Sequence, residues 1–218
     1  MLDRLSRWLA PHGLILRGAF HAAPEDGLPG SVRTLVLIGT AGSAMWQPFD
    51  EVRTPHTHAL DIWTRELIEK LADEVGAQVF FPFGGPPYHP FQRWAGRAEP
   101  GLEPSPVMIS CHPDYGLWHA YRGALAFKEK LSLSTPPTIS SPCVGCADKP
   151  CLTACPVQAF DGKSYDVAAC SDHIRSDAGQ DCRDRGCLAR RACAVGQDHA
   201  YAPDHARFHM DAFIKARR

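Results

Sequence analysis

Eight of the nine cysteines lie between Cys143 and Cys193, whereas the first 142 residues hold only Cys111. They run Cys143-x2-Cys146-x4-Cys151-x3-Cys155-Pro156, then Cys170, Cys182, Cys187 and Cys193. An iron–sulfur cubane takes four thiolates, so this set matches two [4Fe-4S] clusters. Closely spaced cysteines can wrap one face of a cubane, with backbone N–H groups of the loop turned toward its sulfurs, while the fourth ligand arrives from elsewhere in the chain.

In the bacterial ferredoxin pattern, the cysteine that precedes proline ligates the other cluster. By that rule Cys143, Cys146, Cys151 and Cys193 form cluster A, and Cys155, Cys170, Cys182 and Cys187 form cluster B. The four residues between Cys146 and Cys151 exceed the two of the usual run. Structural zinc would favour paired C-x2-C knuckles, and only one such pair occurs. Disulfides need an oxidising compartment, but Asp3, Arg4 and Arg7 interrupt the N-terminal apolar residues and no signal-peptide core follows; a cytoplasmic location is expected. Cys111, alone in an apolar stretch, reads as a small buried side chain.

The elements that must position these thiols are separated by a change of texture. Ser134 to Pro142, rich in proline and small polar residues, can neither continue a helix nor fill a central strand. The expected domains are therefore 1–133 and 143–218, with 134–142 as linker. The first alternates apolar runs (Leu14 to Phe20, Thr34 to Ile38, Gln78 to Phe83) with a helix over about Thr57 to Val75. That helix carries Leu60, Trp63, Thr64, Leu67 and Leu71 at helical period, with Glu66, Glu69, Lys70 and Asp73 turned outward. A further strand pair is expected at Val107 to Ser110 and Ala124 to Phe127. Alternating strands and helices give an α/β (α+β) domain with a helix-covered sheet. In the tail, Phe208, Ala212 and Phe213 share a helical face expected to pack on the second domain. His205 and His209, four apart, could bind a metal in principle, but a solvated face is the favoured reading, as it is for His56 and His58.

Two polar stretches sit on the first scaffold. Gly84 to Trp94 contains His89 and Pro90 in a turn stiffened by glycine and proline. Ser110 to Gly123 contains His112, and its turn residues are expected to bring Trp118, Tyr121 and Arg122 near each other. Aromatic rings beside a fixed guanidinium suit a large, flat, partly charged ligand.

The chain's 218 residues, 44% of them hydrophobic, suffice for one medium domain and a small appended one. With 23 Lys and Arg against 24 Asp and Glu, no basic footprint for nucleic acid stands out. No apolar run approaches the roughly 20 residues of a membrane span.

The N-terminal portion resembles the CblC-type cobalamin-processing family. The resemblance runs from about Gly13 to Phe127 and is carried by Cys111-His112-Pro113-Asp114-Tyr115-Gly116-Leu117-Trp118 leading to Arg122-Gly123, similar to that family's His-Pro-x-x-Gly-x-Trp and Arg-Gly segment. Thr34 to Phe49 and His89-Pro90 add weaker matches. It implies a nitroreductase-like sandwich that binds cobalamin with its lower base detached, with contacts at His89, Pro90, His112, Pro113, Gly116, Trp118, Tyr121 and Arg122. Arg122 stands at an arginine that could hold a thiol or other anionic co-substrate. The lack of an Asp-x-His-x-x-Gly motif fits a vacant lower position on cobalt. The C-terminal portion is similar to the ferredoxin-like module of epoxyqueuosine reductases, where an isolated cysteine after the Cys-Pro run, here Cys170, serves the second cluster; their helical repeat extension and basic surface for transfer RNA are not matched.

Together the two resemblances imply an oxidoreductase that strips the upper ligand, such as cyanide, from cobalamin with electrons passed through two clusters from a ferredoxin, flavodoxin or flavoprotein reductase. The sequence singles out no catalytic residue. Two other readings stand beside it: a reductase that retains cobalamin while acting on a separate organic substrate, and a plain electron-transfer protein.

Overall fold

The computed structural model describes residues 1–134 and 139–217; the middle of the expected linker, 135–138, and Arg218 lie outside the described residues. The helices are α1 Leu2–Leu9, α2 Trp46–Asp50, α3 Ala59–Val75, α4 Phe91–Ala98, α5 Pro142–Gly145, α6 Pro150–Thr153, α7 Val167–Arg175, α8 Gln180–Arg185, α9 Leu188–Arg191 and α10 Pro203–Lys215. The strands are β1 Ile15–His21, β2 Thr34–Ala41, β3 Gln78–Phe80, β4 Glu103–Pro104, β5 Ser110–Cys111 and β6 His119–Phe127. The chain forms two compact units, Met1–Pro100 with Ala120–Thr138, and Gly101–His119 with Ile139–Arg218. Segment 101–119, expected in the first domain, clusters with the second unit.

The first unit is built on a four-stranded sheet of order β1-β2-β6-β3, in which β1 pairs antiparallel with β2 and β3 with β6. Thr34 to Thr40 of β2 are all buried, as an interior strand covered on both faces should be. A bulge interrupts β1 between Leu16 and Ala19, with Gly18 at φ +74°. A Cβ on Gly18 would lie 2.4 Å from the carbonyl oxygen of Ala98, so glycine there admits the end of α4. Helix α3 buries Leu60, Thr64, Ile68, Leu71 and Ala72 and stops at Gly76, whose left-handed conformation lets its N–H reach Ala72 O.

Arg17 lies inside this unit with no exposed surface. Its Nε and Nη2 donate to the two carboxylate oxygens of Glu99 at 2.7 and 2.8 Å, and Nη1 donates to Thr40 O at 3.3 Å. The guanidinium also stacks over the Tyr121 ring at 4.7 Å, and the Tyr121 hydroxyl donates to Glu99.

In the second unit β4 and β5 form a short antiparallel pair, Glu103 opposite Cys111 and Pro104 opposite Ser110. The strand expected at 107–110 is therefore corrected. Residues 107–109 form the turn, Met108 at φ +60°, because Pro106 cannot donate to a ladder. Nor does this segment pair with 124–127, which joins β3. Helix α10 packs on α7 and α8, and Arg175 Nη2 donates to the Ile214 and Arg217 carbonyls near its end.

His205 corrects another expectation. It has no exposed surface and stacks on Tyr201 at 3.9 Å, with its Nε2 3.1 Å from His209 Nε2. Arg190 lies over both Trp118 and Tyr201, 4.5 and 4.3 Å from the ring centres, and donates to Leu117 O. Among the described residues, no helix is long and apolar enough to cross a membrane.

Candidate metal centre

The thiol loops are assembled from short helices opened by proline. Pro142 starts α5, which carries Cys143, and Cys146 follows at its end in extended conformation. The extra residues before Cys151 make a separate turn. Lys149 takes φ +38°, its Nζ donates to Cys146 O at 3.0 Å, and Pro150 opens α6 so that Cys151 falls in its first turn. Asp166 caps α7 by accepting from the Ala169 N–H, which sets Cys170 on that helix.

Cys143, Cys146, Cys151 and Cys193 line one cavity, with Cys111, Leu117 and Pro142 in its wall. Its non-protein space is about 440 Å³, part of it open solvent. Cys155, Cys170, Cys182 and Cys187 line a second, of about 310 Å³ on the same measure, walled by Phe160, Ile174, Ala189 and Met210. The four cysteines expected to share each cluster thus ring one space. All nine thiols are free.

Backbone N–H groups point at several sulfurs. Ala159 N–H donates to Cys155 Sγ at 3.3 Å. Leu188 donates to Cys182, Ala189 and Arg190 to Cys187, and Val195 to Cys193. Such bonds favour thiolate over thiol. Burial acts the other way: it raises Cys143, Cys151, Cys170 and Cys182 and pushes Cys187 up to about 11. Buried thiolates crowded together need a cation among them, and coordination deprotonates a thiol outright.

Cys111, a buried side chain as expected, faces this chemistry as well. Its hydrogen bond to Cys193, then burial, hold the Cys111 thiol up, while the same bond pushes Cys193 down to about 6. Cys111 Sγ also donates to the His112 carbonyl oxygen at 3.9 Å.

Among the described residues, no group of three or more His, Cys, Asp or Glu side chains could hold a single metal ion. Zinc–thiolate bonds of ~2.3 Å would bring sulfurs to about 4 Å from one another. Four thiols around one space are the donor set that a [4Fe-4S] cluster takes. One further atom fits such a guest: the Nε2 of His173, whose side chain lines the second cavity, is buried without a hydrogen-bond partner.

The residues expected at cobalamin are divided between the units. In the first, His89 stacks on Trp94 at 5.6 Å and meets the Phe80 ring edge-on at 4.8 Å, and Pro90 caps α4. Arg122 donates to Asp61 Oδ1 at 2.6 Å and to Thr64 and Leu60 O. Tyr121 belongs to the Arg17–Glu99 group. Burial raises its hydroxyl pKa above the usual range.

In the second unit, His112 Nδ1 accepts from the N–H groups of Asp114 and Tyr115 at 3.0 and 3.2 Å, and its ring stacks on Tyr115. Pro113 abuts Gly101, whose Cβ would meet it at 2.9 Å. Trp118 is 1% exposed beneath Arg190. Trp118 belongs to the second unit and Tyr121 and Arg122 to the first, and each has partners within its own unit: Arg190, Glu99 and Asp61 respectively.

Sequence reasoning missed Arg17, Arg190 and His173. Only the last carried a local signal, since His173 lies three residues after Cys170 and so on the same helix face.

No family model matches the chain, and no curated protein matches it. Solved structures do. An epoxyqueuosine reductase in selenomethionine form superposes with a TM-score of 0.51 at 15% identity over 86% of this chain and 55% of that one. An epoxyqueuosine reductase with a tRNA-Tyr epoxyqueuosine-modified stem loop gives 0.52 at 14% identity over 98% and 71%. The C. elegans B12-trafficking protein CblC, a human MMACHC homologue, gives 0.51 at 14% identity over 98% and 94%. The chain thus spans about half the length of the first reductase and nearly all of CblC. At these identities the likeness is one of fold: a mixed helix-and-sheet architecture related to both epoxyqueuosine reductase and CblC.

Proposed function

We propose that the chain is an iron–sulfur oxidoreductase acting on cobalamin, whose upper ligand it removes by reduction. The observation that carries this reading is the two spaces in the second unit, each ringed by four of the eight clustered cysteines, in a fold shared with a B12-trafficking protein and a reductase.

Cys143, Cys146, Cys151 and Cys193 would hold one [4Fe-4S] cluster and Cys155, Cys170, Cys182 and Cys187 the other. Such clusters supply one-electron transfer when bound. The backbone N–H groups at Cys155, Cys182, Cys187 and Cys193 stabilise the thiolates, and apolar walls limit water. The proposed division of labour is 1–133 for cobalamin and 143–218 for the clusters, with 101–119 clustering with the second unit.

Cobalamin enters as substrate. One electron from a ferredoxin, flavodoxin or flavoprotein reductase converts Co(III) to Co(II), and the weakened axial bond releases cyanide with its electron pair. The eight residues proposed at the corrin are His89, Pro90, Tyr121 and Arg122 of the first unit and His112, Pro113, Gly116 and Trp118 of the second. Fold likeness to epoxyqueuosine reductase favours a second reading, in which cobalamin is retained while a separate organic substrate is reduced.

Anaerobic protein titrated with cyanocobalamin tests the proposal. Binding, followed by a visible-spectrum change and free cyanide under reductant, is expected. Retained cobalamin that turns over another substrate selects the second reading, while bound iron without cobalamin binding leaves only an electron-transfer protein.

A further inference from the structure

His173 stands on α7 one helical turn beyond Cys170 and lines the cavity ringed by Cys155, Cys170, Cys182 and Cys187. Its Nε2 is buried and without a hydrogen-bond partner. A buried polar atom left unpaired is destabilising and rare, and one in a native protein calls for a missing partner.

The backbone at His173 is fixed. The His173 carbonyl accepts from the Ser176 hydroxyl at 2.8 Å and the Ser176 N–H at 3.0 Å. Gly179 packs so closely there that a Cβ would come within 1.9 Å of the same oxygen. Among the residues lining this cavity, the four cysteines offer the polar atoms and the rest of the wall is predominantly apolar. Among the described residues, no other nitrogen- or oxygen-bearing side chain lines this cavity to pair with it.

We infer that His173 donates an Nε2–H hydrogen bond to a sulfur of the cluster held by Cys155, Cys170, Cys182 and Cys187, and thereby raises that cluster's reduction potential. This rests on the reading that the cavity takes a [4Fe-4S] cluster. Sulfide and thiolate sulfurs are acceptors whose negative charge grows on reduction, so a fixed N–H donor stabilises the reduced state more than the oxidised one. Hydrogen bonds to the sulfurs are among the factors that set such potentials. The bond also selects the tautomer, with the proton on Nε2. His173 is thus a positioning and tuning residue and not a ligand.

The test uses anaerobically purified full-length protein, with His173→Leu to remove the donor and His173→Gln to restore one. Iron and sulfide per chain should be unchanged in both. An EPR-monitored redox titration should show a lower midpoint for one cluster in the Leu variant: about tenfold less reduced cluster at fixed poise, or about 59 mV for one electron. Gln should move it back. Pulsed EPR of the reduced wild type, grown with 15N-histidine, should show a weak imidazole coupling, which needs no variant to fold. An unmoved midpoint or absent coupling overturns the inference while the cluster stands; loss of iron in the Leu variant, or a strong coupling, makes His173 a ligand and overturns it too. Wild-type protein that takes no iron at this cavity instead defeats the reading beneath.

Discussion

Gly116 and Gly196 meet backbone to backbone, both with positive φ, at +55° and +70°. A Cβ on Gly116 would lie 2.0 Å from Val195 O, and one on Gly196 would lie 2.6 Å from Gly116 N. This contact locks the 112–118 turn to the chain following Cys193, and Cys111 and Cys193, the residues that precede the two segments, line a single cavity. Gly116→Ala or Gly196→Ala should therefore strain both backbone and packing, with a cost of at least about 2 kcal/mol. Thermal melting should show the loss, and iron content at the first cavity should fall with it. Wild-type stability in both variants would contradict this account of the contact.

Cys111 should behave differently from its eight neighbours. It lines the first cavity as a ninth thiol outside both proposed ligand sets and donates to the His112 carbonyl, so Cys111→Ser should keep the full iron complement, whereas Cys193→Ser should lose about four irons. Iron and sulfide analysis of the two variants decides. Iron lost from Cys111→Ser and retained in Cys193→Ser would exchange their roles.

The Arg17–Glu99 pair makes a prediction in the first unit. Glu99→Leu strands a fully buried guanidinium and should cost about 3–5 kcal/mol in urea unfolding. The double variant Arg17→Met with Glu99→Leu should recover much of that, because the stranded charge is gone. If the double variant loses as much as the single, the cost arises elsewhere, for instance at the Tyr121 hydroxyl.

His205 gives stability a pH dependence of definite sign. Burial first, then the charges of His209 and Arg190, push it from 6.5 down to about 3, with Asp204 acting in the opposite direction. The unfolded chain binds this proton below about pH 6.5 while the folded chain refuses it until about pH 3. Its contribution is therefore complete above 6.5 and is lost as pH falls through that window. One such group gives a slope of up to about 1.4 kcal/mol per pH unit. His205→Leu should flatten unfolding free energy against pH between 6 and 4 relative to wild type; identical slopes would contradict it.

The sequence made some features legible and hid others for physical reasons. Helix α3 and strands β1 and β2 were readable because their apolar periods are local, and the cysteines that line each of the two cavities follow an order visible in their spacing. The placement of 101–119 was not, since it depends on Gly116 meeting Gly196 across a long stretch of chain. Trp118, Tyr121 and Arg122 are neighbours in sequence, but their partners Arg190, Glu99 and Asp61 lie far along the chain and follow no local period. His205 looked solvated because Tyr201, Trp118 and Arg190, which help enclose that helix face, follow no helical period with it. His173 was visible in principle, one turn from Cys170, but only an unpaired nitrogen in a thiol-lined cavity distinguishes it from an ordinary surface histidine.

The most direct test is metal and sulfide analysis of anaerobically prepared protein, followed by cyanocobalamin titration of the same sample. The account predicts roughly eight iron and eight sulfide per chain, cluster EPR signals on reduction, and cobalamin that binds and gives up its cyanide. Stoichiometric zinc, thiols paired as disulfides, or iron-loaded protein indifferent to cobalamin would contradict it.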